Sequence, residues 1–487
     1  MYGEMKNRFF ATLRIKMKIK FCGAAQTVTG SQHLLEISGK KVLLDCGLYQ
    51  GKREEAYNIN KHFLFDPKEL DAVVLSHAHI DHSGLLPGLY KAGFRGDVYA
   101  TPATRDLCAI MLQDSAHIQT RDIEFVNKKK IKNGEKLFKP LYGYEEVRGI
   151  MQQFKCMPYR RKFNLNGFGG NVQVTYFDAG HILGSAQVRL DINENGKNIK
   201  FGFTGDIGRP HLPILRDPDH MGDVDFMISE STYGGRVHDK ASDMDDQFAN
   251  VILEALQRGG KIIVPAFSVG RTQELVYSLS KLFAKGIIPK FPIFVDSPLS
   301  TNVSEIFKLH PECFDSETAE LISRGVDVFG FQNLTYIKDA EDSKKLNYFK
   351  GSCMIISASG MAESGRIVHH LRNNISSEKN TILIVGFMAP HTLGRRIVEA
   401  EGKQGKFVRI FGEEHAVKAK IYVLNSFSAH ADRNELRDYF GKFTKGTLDK
   451  IFLVHGDPDQ QEALKGMLNE MNYKDIDIPA KGDEVQL

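Results

Sequence analysis

The sequence predicts an α/β protein that contains more than one domain. Its 487 residues are enough for several domains with apolar cores, and 42% hydrophobic and 25% charged residues are typical of globular proteins. Short runs of aliphatic and β-branched residues alternate with small-residue loops and helical stretches. A histidine-rich motif, residues 77–82, directly follows one of the predicted strands, residues 71–76. These observations predict sheets whose strand ends carry polar chemistry.

The motif His77-Ala-His79-Ile-Asp81-His82 has the donor types of a two-metal site. His77 and His79 are two residues apart, so both imidazoles leave the same face of an extended segment and can reach one ion. Asp81 and His82 follow after the chain has begun to turn, and we expect them to point at a second ion. Nitrogen ligands for one ion and mixed nitrogen and oxygen ligands for its neighbour favour a two-zinc hydrolytic site. A single histidine would favour a core or surface role, but this spacing does not.

Other polar residues stand where further predicted strands end. Any one of them could cap a turn or fill a core. Their repeated occurrence directly after predicted strands is what indicates a shared site. The residues are Asp45 after strand 41–44, His181 after strand 172–176, Asp206 after strand 199–204, Glu230 after strand 226–229, His430 after strand 419–424, and His455 after strand 450–454.

Between residues 261 and 396 the sequence alternates strands, small-residue loops and helices. Because free N–H groups at helix N-termini attract phosphate, the loops at one sheet edge are candidates for binding a phosphate backbone. Arg271, Ser359 and Arg395 are the candidate contacts in these loops. The alternative is an ordinary doubly wound domain whose glycines only form turns.

Charge and cysteine content limit the partners and the compartment. The net charge of +4 is too small to indicate a polyanionic partner by itself. Residues 121–162 hold 12 Lys and Arg against 5 Asp and Glu, which fits either a phosphate contact or a solvated loop. The six cysteines lack Cys-x-x-Cys spacing, so we expect buried thiols in a reducing compartment.

The sequence shows no membrane or export signal that we recognise. No apolar run approaches 18 residues, so a membrane span is not expected. Residues 1–16 are basic and lack the apolar core of a secretory signal. We therefore expect a short N-terminal extension on a cytoplasmic protein.

In this order, the motifs resemble those of the metallo-β-lactamase superfamily and of its β-CASP branch. The resemblance begins at Met17 and includes Glu230, His430 and His455, which match motifs A, B and C of that branch. It implies an αββα sandwich formed by residues 1–234 and 421–487, with 1–16 as the extension. It also implies an inserted, Rossmann-like β-CASP domain, residues 235–420.

The resemblance also implies a site with two zinc ions per chain, with Mn²⁺ as an alternative metal. A hydroxide between the ions would be the nucleophile, His430 would donate a proton to the leaving group, and Glu230 would orient His430. Asp45 would support the ligands from behind. The implied ligands are His77, His79, His181 and Asp206 for one ion, and Asp81, His82, Asp206 and His455 for the other. Asp81 and Asp206 also count among the implied catalytic residues, with His430 and Glu230.

The function implied is hydrolysis of single-stranded RNA, as in bacterial and archaeal β-CASP ribonucleases and the endonuclease of mRNA 3′-end processing. His455 favours RNA, because DNA-processing members carry an apolar residue at motif C. Internal cleavage, 5′-to-3′ removal of nucleotides, and a homodimer or larger RNA-processing assembly all remain open. Two alternatives remain: a thioesterase or lactonase on the same metal site, and a non-catalytic scaffold subunit.

Overall fold

The computed structural model describes residues 17–132, 137–194, 196–386, 388–389, 391–401 and 406–487. The predicted extension 1–16, Phe387 and part of the basic segment 121–162 lie outside the described residues. Among the helices described, none is long and apolar enough to cross a membrane.

The chain up to Glu230 forms most of two sheets. Its strands are β1 (Met17–Gly23), β2 (Gln32–Ile37), β3 (Lys40–Leu44), β4 (Ala72–Val74), β5 (Asp97–Ala100), β6 (Phe154–Cys156), β7 (Phe163–Asn164), β8 (Val172–Asp178), β9 (Ala186–Glu194), β10 (Lys197–Phe203) and β11 (Phe226–Glu230). Its helices are α1 (Arg53–Asn60), α2 (Ile80–Ser83), α3 (Leu86–Lys91), α4 (Pro102–Lys132) and α5 (Tyr144–Met151).

The remaining chain forms a third sheet and then returns to the first two. The middle part contains α6 (Met244–Arg258), β12 (Ile262–Pro265), α7 (Arg271–Ala284), β13 (Ile293–Val295), α8 (Pro298–Leu309), α9 (Ser316–Ser323), β14 (Leu334–Tyr336), α10 (Ala340–Lys345), β15 (Met354–Ser357), α11 (Arg366–Asn374), β16 (Thr381–Ile384), α12 (Leu393–Glu399), β17 (Phe407–Ile410), β18 (Glu413–Ala416) and β19 (Lys420–Val423). The last part contains α13 (Arg433–Phe440), β20 (Lys450–Val454), α14 (Pro458–Glu470), β21 (Ile476–Asp477) and β22 (Glu484–Gln486).

Two sheets packed face to face confirm the predicted αββα sandwich. Their strand orders are β22-β1-β2-β3-β4-β5-β6 and β21-β20-β11-β10-β9-β8-β7. Alternate residues of β8, Val172, Val174 and Tyr176, are fully buried in the core between the sheets. Helices α3, α4 and α5 cover the outer face of one sheet, and α13 and α14 cover the other. The period-2 burial is what a strand requires when one of its faces meets a second sheet.

The inserted domain, α6 to β19, is a doubly wound α/β unit. Its sheet has the order β14-β13-β15-β12-β16-β19, with parallel pairing throughout. Helices α6, α7 and α8 pack on one face, and α11 and α12 pack on the other. The alternation of strand and helix predicted this architecture, because parallel strands need a crossover connection.

The insertion separates two strands that are neighbours in the sandwich. β11 pairs in parallel with β20, and Glu230 lies opposite Val454 in the register. β10 lies on the other side of β11, also parallel, with Phe203 opposite Ile228. The carboxyl ends of all three strands therefore meet at one edge, although the inserted domain separates two of them in sequence.

Some details differ from the sequence-based predictions. β19 pairs with β16 in the inserted sheet, so this strand crosses the predicted domain boundary at residue 420. Residues 102–132 form one 31-residue helix, so the first part of the basic segment 121–162 is helical, where a solvated loop was one of the two alternatives. The expectation that every cysteine is buried is wrong for Cys156, which is exposed because β6 is the edge strand of its sheet.

Candidate metal centre

The first set of ligand atoms brings together His77, His79, His181 and Asp206. Nδ1 of His79 lies 3.2 Å from Nε2 of His77 and 3.2 Å from Nε2 of His181. Oδ2 of Asp206 lies 3.5 Å from Nε2 of His77 and 3.6 Å from Nε2 of His181. These four residues offer ligand atoms that all lie within 4.8 Å of one another, at the ends of strands from both sheets.

The second set consists of Asp81, His82 and His455. Nε2 of His455 lies 3.1 Å from Nε2 of His82 and 3.6 Å from Oδ2 of Asp81. Asp206 also faces this set, because its Oδ2 lies 3.3 Å from Nε2 of His82 and its Oδ1 lies 3.5 Å from Nδ1 of His455. The carboxylate of Asp206 therefore stands between the two sets, as a bridging ligand would.

The burial and charge of four of these residues, His77, His181, Asp81 and Asp206, suit a cation. Burial lowers the pKa of His77 and His181 well below the usual value, so both imidazoles are neutral and offer lone pairs. Burial alone would raise the pKa of Asp81, but the imidazoles of His455, His82 and His79 around it lower the pKa to about 2. Oδ1 of Asp206 is buried and has no hydrogen-bond partner among the described residues. Converging lone pairs and an unpartnered carboxylate oxygen are the donors that a metal ion requires.

Hydrogen bonds to Nδ1 of His82 and of His77 orient the Nε2 atoms of these rings toward the candidate metal sites. Nδ1 of His82 lies 2.6 Å from Oδ2 of Asp45, which also accepts a hydrogen bond from the Ser76 hydroxyl at 2.8 Å. The same hydroxyl lies 3.0 Å from Nδ1 of His77. Asp45 therefore orients one histidine directly and a second through Ser76. Such contacts fix the tautomer and the ring angle of metal-binding histidines.

Two loops of the site approach each other closely at a pair of glycines. A Cβ on Gly208 would lie 1.8 Å from the carbonyl oxygen of Gly180, so only glycine fits there. Gly208 also forms a β-bridge with His430. The loop that carries Asp206 is therefore fixed against the loop of His181 and against the segment that carries His430.

His430 and Glu230 form a third group beside the two ligand sets. Nδ1 of His430 lies 3.1 Å from Oε2 of Glu230 and 4.0 Å from Oδ2 of Asp206. Burial lowers the pKa of His430, but the charge of Glu230 and the hydrogen bond to its carboxylate raise it to about 9. This shift favours the protonated form of His430, and Nε2 is the ring nitrogen that does not face Glu230.

The three candidate phosphate contacts lie in loops or at a helix start of the inserted domain. Arg271 is buried and its guanidinium pairs with Glu274, so its charge is not directed at solvent. Arg395 keeps 45% of its side chain exposed while it pairs with Glu399 at 2.8 Å. The Ser359 hydroxyl accepts backbone N–H groups of its own loop. Of the two arginines, Arg395 is thus the more accessible to a substrate.

Sequence reasoning did not identify the hydroxyl groups of the site. Ser76 precedes His77, and Thr232 follows Glu230 by two positions, with its hydroxyl between Glu230 and His455. Proximity to predicted ligands was the available signal. That signal is weak, because serine and threonine are common at the ends of strands.

Replacing Asp45 with asparagine should weaken metal binding by about 10-fold to 100-fold, because two ligand histidines lose the group that orients them. Metal affinity can be measured by competition with a chromogenic chelator. Asp71→Asn is the matched control: Asp71 binds Lys40 and precedes β4, at the opposite edge of the same sheet. Equal affinities of parent and Asp45→Asn would contradict the orienting role.

Family models match three parts of the chain. A metallo-beta-lactamase superfamily domain matches residues 34–199, and a Beta-Casp domain matches residues 272–397. A Zn-dependent metallo-hydrolase RNA specificity domain matches residues 414–479, which include His430 and His455. The three matches follow the chain in the order of the two-part sandwich and its insertion.

Relatives are similar over nearly the whole chain. Ribonuclease TTHA0252 of Thermus thermophilus is 34% identical over 470 residues, covering 96% of this chain and 100% of that protein. An RNase J-like protein of Methanocaldococcus jannaschii is 30% identical, covering 90% of this chain and 92% of that protein. The transcription termination factor FttA of Methanosarcina mazei is 29% identical, covering 91% of this chain and 67% of that protein.

A solved structure shares the fold alone. The crystal structure of a protein of unknown function from Enterococcus faecalis superimposes with a TM-score of 0.53 at 12% identity, covering 97% of this chain and 100% of that one. The family models, the full-length similarity to the Thermus ribonuclease and the inserted α/β domain agree. The chain belongs to the β-CASP branch of the metallo-β-lactamase superfamily.

Proposed function

We propose that this protein is a zinc-dependent ribonuclease that hydrolyses phosphodiester bonds of single-stranded RNA in RNA processing or decay. The observation that carries the proposal is the contact of His430 Nδ1 with the Glu230 carboxylate at 3.1 Å, beside two converging sets of candidate metal ligands. The RNA specificity domain over residues 414–479 and the relatives named as ribonucleases support the choice of RNA. A positioned acid beside a two-metal site suits the breaking of a bond whose leaving oxygen needs a proton.

Two zinc ions fit the donor atoms. His77, His79, His181 and Asp206 would hold one ion, and Asp81, His82, Asp206 and His455 would hold the other. Imidazole nitrogen and carboxylate oxygen are ordinary zinc ligands, whereas the number of hard oxygen donors keeps Mn²⁺ as the alternative. When bound, the ions supply a strong nucleophile from water and stabilise charge on the phosphate oxygens.

The side chains of the protein complete the reaction. His430 donates its Nε2 proton to the departing 3′-oxygen as the bond between phosphorus and that oxygen breaks. Glu230 keeps the ring charged and aims it, because its carboxylate lies 3.1 Å from Nδ1. The acid and the ligands therefore have separate roles. Asp206 and the ligand histidines hold the metal, and His430 transfers the proton.

The inserted domain provides the surface on which an RNA strand would lie. Gly270, which precedes α7, lies beside Ile182 in the metal-site loop, since a Cβ on Gly270 would be 3.5 Å from Ile182 Cγ2. The N-terminus of α12, with Arg395 and its exposed side chain, contacts the Ser359 loop through the Gly394 N–H to Met361 carbonyl bond. We assign Ser359 and Arg395 as phosphate contacts on this edge, and Arg271 as a buried support of it.

Purified protein should contain about two zinc ions per chain, because two separate sets of ligand atoms share one carboxylate. Elemental analysis after dialysis checks this count. His211→Ala, which removes an exposed histidine outside both sets, should leave the count unchanged. One ion or fewer in a fully active preparation would refute the two-zinc assignment.

The protein should cleave single-stranded RNA faster than DNA of the same sequence, and a chelator should abolish the cleavage. Binding should weaken steeply with salt, because contacts to phosphate release counterions. RNA labelled separately at its 5′ and 3′ ends shows whether cuts are internal or progress from the 5′ end. Equal rates on RNA and DNA would exclude RNA specificity, and hydrolysis of thioesters or lactones without RNA cleavage would exclude the nuclease.

Replacing His430 with alanine and replacing His455 with alanine should impair the protein in different ways. His455→Ala should lower the zinc content at the second set, and activity should be lost with it. His430→Ala should keep both ions and slow the cleavage step by roughly 10²-fold to 10⁴-fold, the usual contribution of a general acid. Zinc analysis and single-turnover kinetics distinguish the cases. Loss of zinc in His430→Ala would show that its role is wrongly assigned.

Glu230→Gln should move the alkaline limit of activity to lower pH. A general acid acts in its protonated form, and Glu230 raises the pKa of His430 to about 9. Without that charge the pKa falls, so the acid form is lost at lower pH. The pH profile of the single-turnover rate measures the shift. An alkaline limit at the same pH in parent and variant would contradict the pairing.

A further inference from the structure

Thr232 joins the metal ligand His455 to the acid pair Glu230 and His430, and neither the motifs nor the mechanism above uses it. Its hydroxyl oxygen lies 2.6 Å from Oε2 of Glu230 and 3.1 Å from Nδ1 of His455. It also lies 3.1 Å from the carbonyl oxygen of His455. Three polar atoms therefore surround the single hydroxyl proton of Thr232. The role of Thr232 depends on which of these atoms accepts that proton and which donates to the hydroxyl oxygen.

The ring of His455 fixes the first direction. Its Nε2 faces Nε2 of His82 at 3.1 Å and Oδ2 of Asp81 at 3.6 Å, so Nε2 carries the lone pair for a cation. The ring proton then sits on Nδ1, which must donate. Thr232 is its acceptor, because the other nearby acceptor, Oδ1 of Asp206, is 3.5 Å away and beyond the usual N–H···O range.

The second direction follows from the single proton of the hydroxyl. Since Thr232 accepts from His455, its own proton is free to be donated. The carboxylate of Glu230 at 2.6 Å is charged and closer than the carbonyl of His455 at 3.1 Å, and charge-assisted bonds are the stronger. The bonds therefore run in one direction, from Nδ1–H of His455 to the Thr232 hydroxyl and from that hydroxyl to Glu230.

Few other hydrogen bonds hold the carboxylate of Glu230 in place. Its Oε1 accepts the backbone N–H of Ile207 at 2.5 Å and lies 3.3 Å from Nδ1 of His430, and its Oε2 faces both Thr232 and Nδ1 of His430. The carboxylate is almost fully buried, so each of these donors matters to its position. Without the Thr232 bond, Oε2 would keep the contact with Nδ1 of His430 alone among the described residues, so the carboxylate would be oriented less firmly.

We infer that Thr232 is a positioning residue that couples occupancy of the second metal set to the orientation of the acid, His430. With an ion present, His455 is locked with its proton on Nδ1, and Thr232 must donate to Glu230. Without the ion, the proton of His455 can move to Nε2, so Nδ1 becomes an acceptor that competes with Glu230 for the Thr232 proton and weakens the bond that holds the carboxylate. The coupling rests on the proposed use of His430 as the acid, but the hydrogen-bond chain itself does not.

A double-mutant cycle in zinc binding tests the coupling without any RNA. Because coupling between sites is reciprocal, Glu230→Gln should weaken the second zinc by about fivefold or more in the parent, the low end of typical coupling. In a Thr232→Val background, which keeps the side-chain shape but removes the hydroxyl, Glu230→Gln should have no further effect. Stepwise chelator competition gives the affinities, and Thr232→Ala replaces Thr232→Val if the valine variant does not fold.

Two control variants make the result specific. Thr232→Ser keeps the hydroxyl and should restore the effect of Glu230→Gln. Ser76→Ala removes the other hydroxyl of the site, between His77 and Asp45, and should leave the effect of Glu230→Gln intact. Additive effects of Glu230→Gln and Thr232→Val, or no effect of Glu230→Gln on zinc in the parent, would overturn the inference.

Cleavage kinetics provide the second readout, at saturating zinc. Thr232→Val should slow cleavage of ordinary RNA by roughly tenfold, a part of the usual general-acid effect. It should not slow cleavage of RNA with sulfur in place of the scissile 3′-oxygen, because a thiolate leaves without a proton. Equal losses on both substrates would overturn the link to His430. A parent that binds zinc with the expected coupling but cleaves no RNA would refute the proposed function and not the chain of bonds.

Discussion

The site depends on the buried carboxylate of Asp206, which needs positive charge on two sides. It is 2% exposed, and its oxygens face His77, His82 and His181 on one side and His455 on the other. A buried carboxylate without compensation costs several kcal/mol, so the surrounding groups must supply cations or donors. The next residues of the same loop hold the acid pair, through the Ile207 N–H to Glu230 and the bridge from Gly208 to His430. One short loop thus links the candidate metal ligands to the proposed proton donor.

The fold and the meeting of the ligand residues could be predicted from the sequence, because each ligand follows a run of apolar residues with strand character. The resemblance to the β-CASP branch led to the expectation that Asp206, Glu230 and His455 converge, and the parallel strands before them do end at a common edge. The hydroxyls of Ser76 and Thr232 could not be predicted in this way. Their roles depend on which neighbour accepts the hydroxyl proton. That choice is decided by differences of a few tenths of an ångström in the distances to the neighbouring polar atoms, which residue type does not show.

Burial limited the prediction elsewhere. Arg271 has the residue type and the helix position of a phosphate contact, but the fold turns it toward Glu274 and away from solvent. The exposure of Cys156 follows from the place of β6 at a sheet edge, and that place is decided by pairing rather than by local sequence. The crossing of the predicted boundary by β19 has the same origin, since its partner β16 belongs to the inserted sheet.

The parallel pairing of β11 with β20 has a consequence for the order in which the chain can mature. Thr232 and His455 are 223 positions apart, and the whole inserted domain is synthesised between them. Elongation proceeds at about 5–20 residues per second. For many seconds, a nascent chain therefore contains all residues of the first ligand set but not His455 of the second. Until its last part is synthesised, the unfinished chain lacks both His430 and His455 and cannot place the proposed proton donor beside the candidate metal ligands.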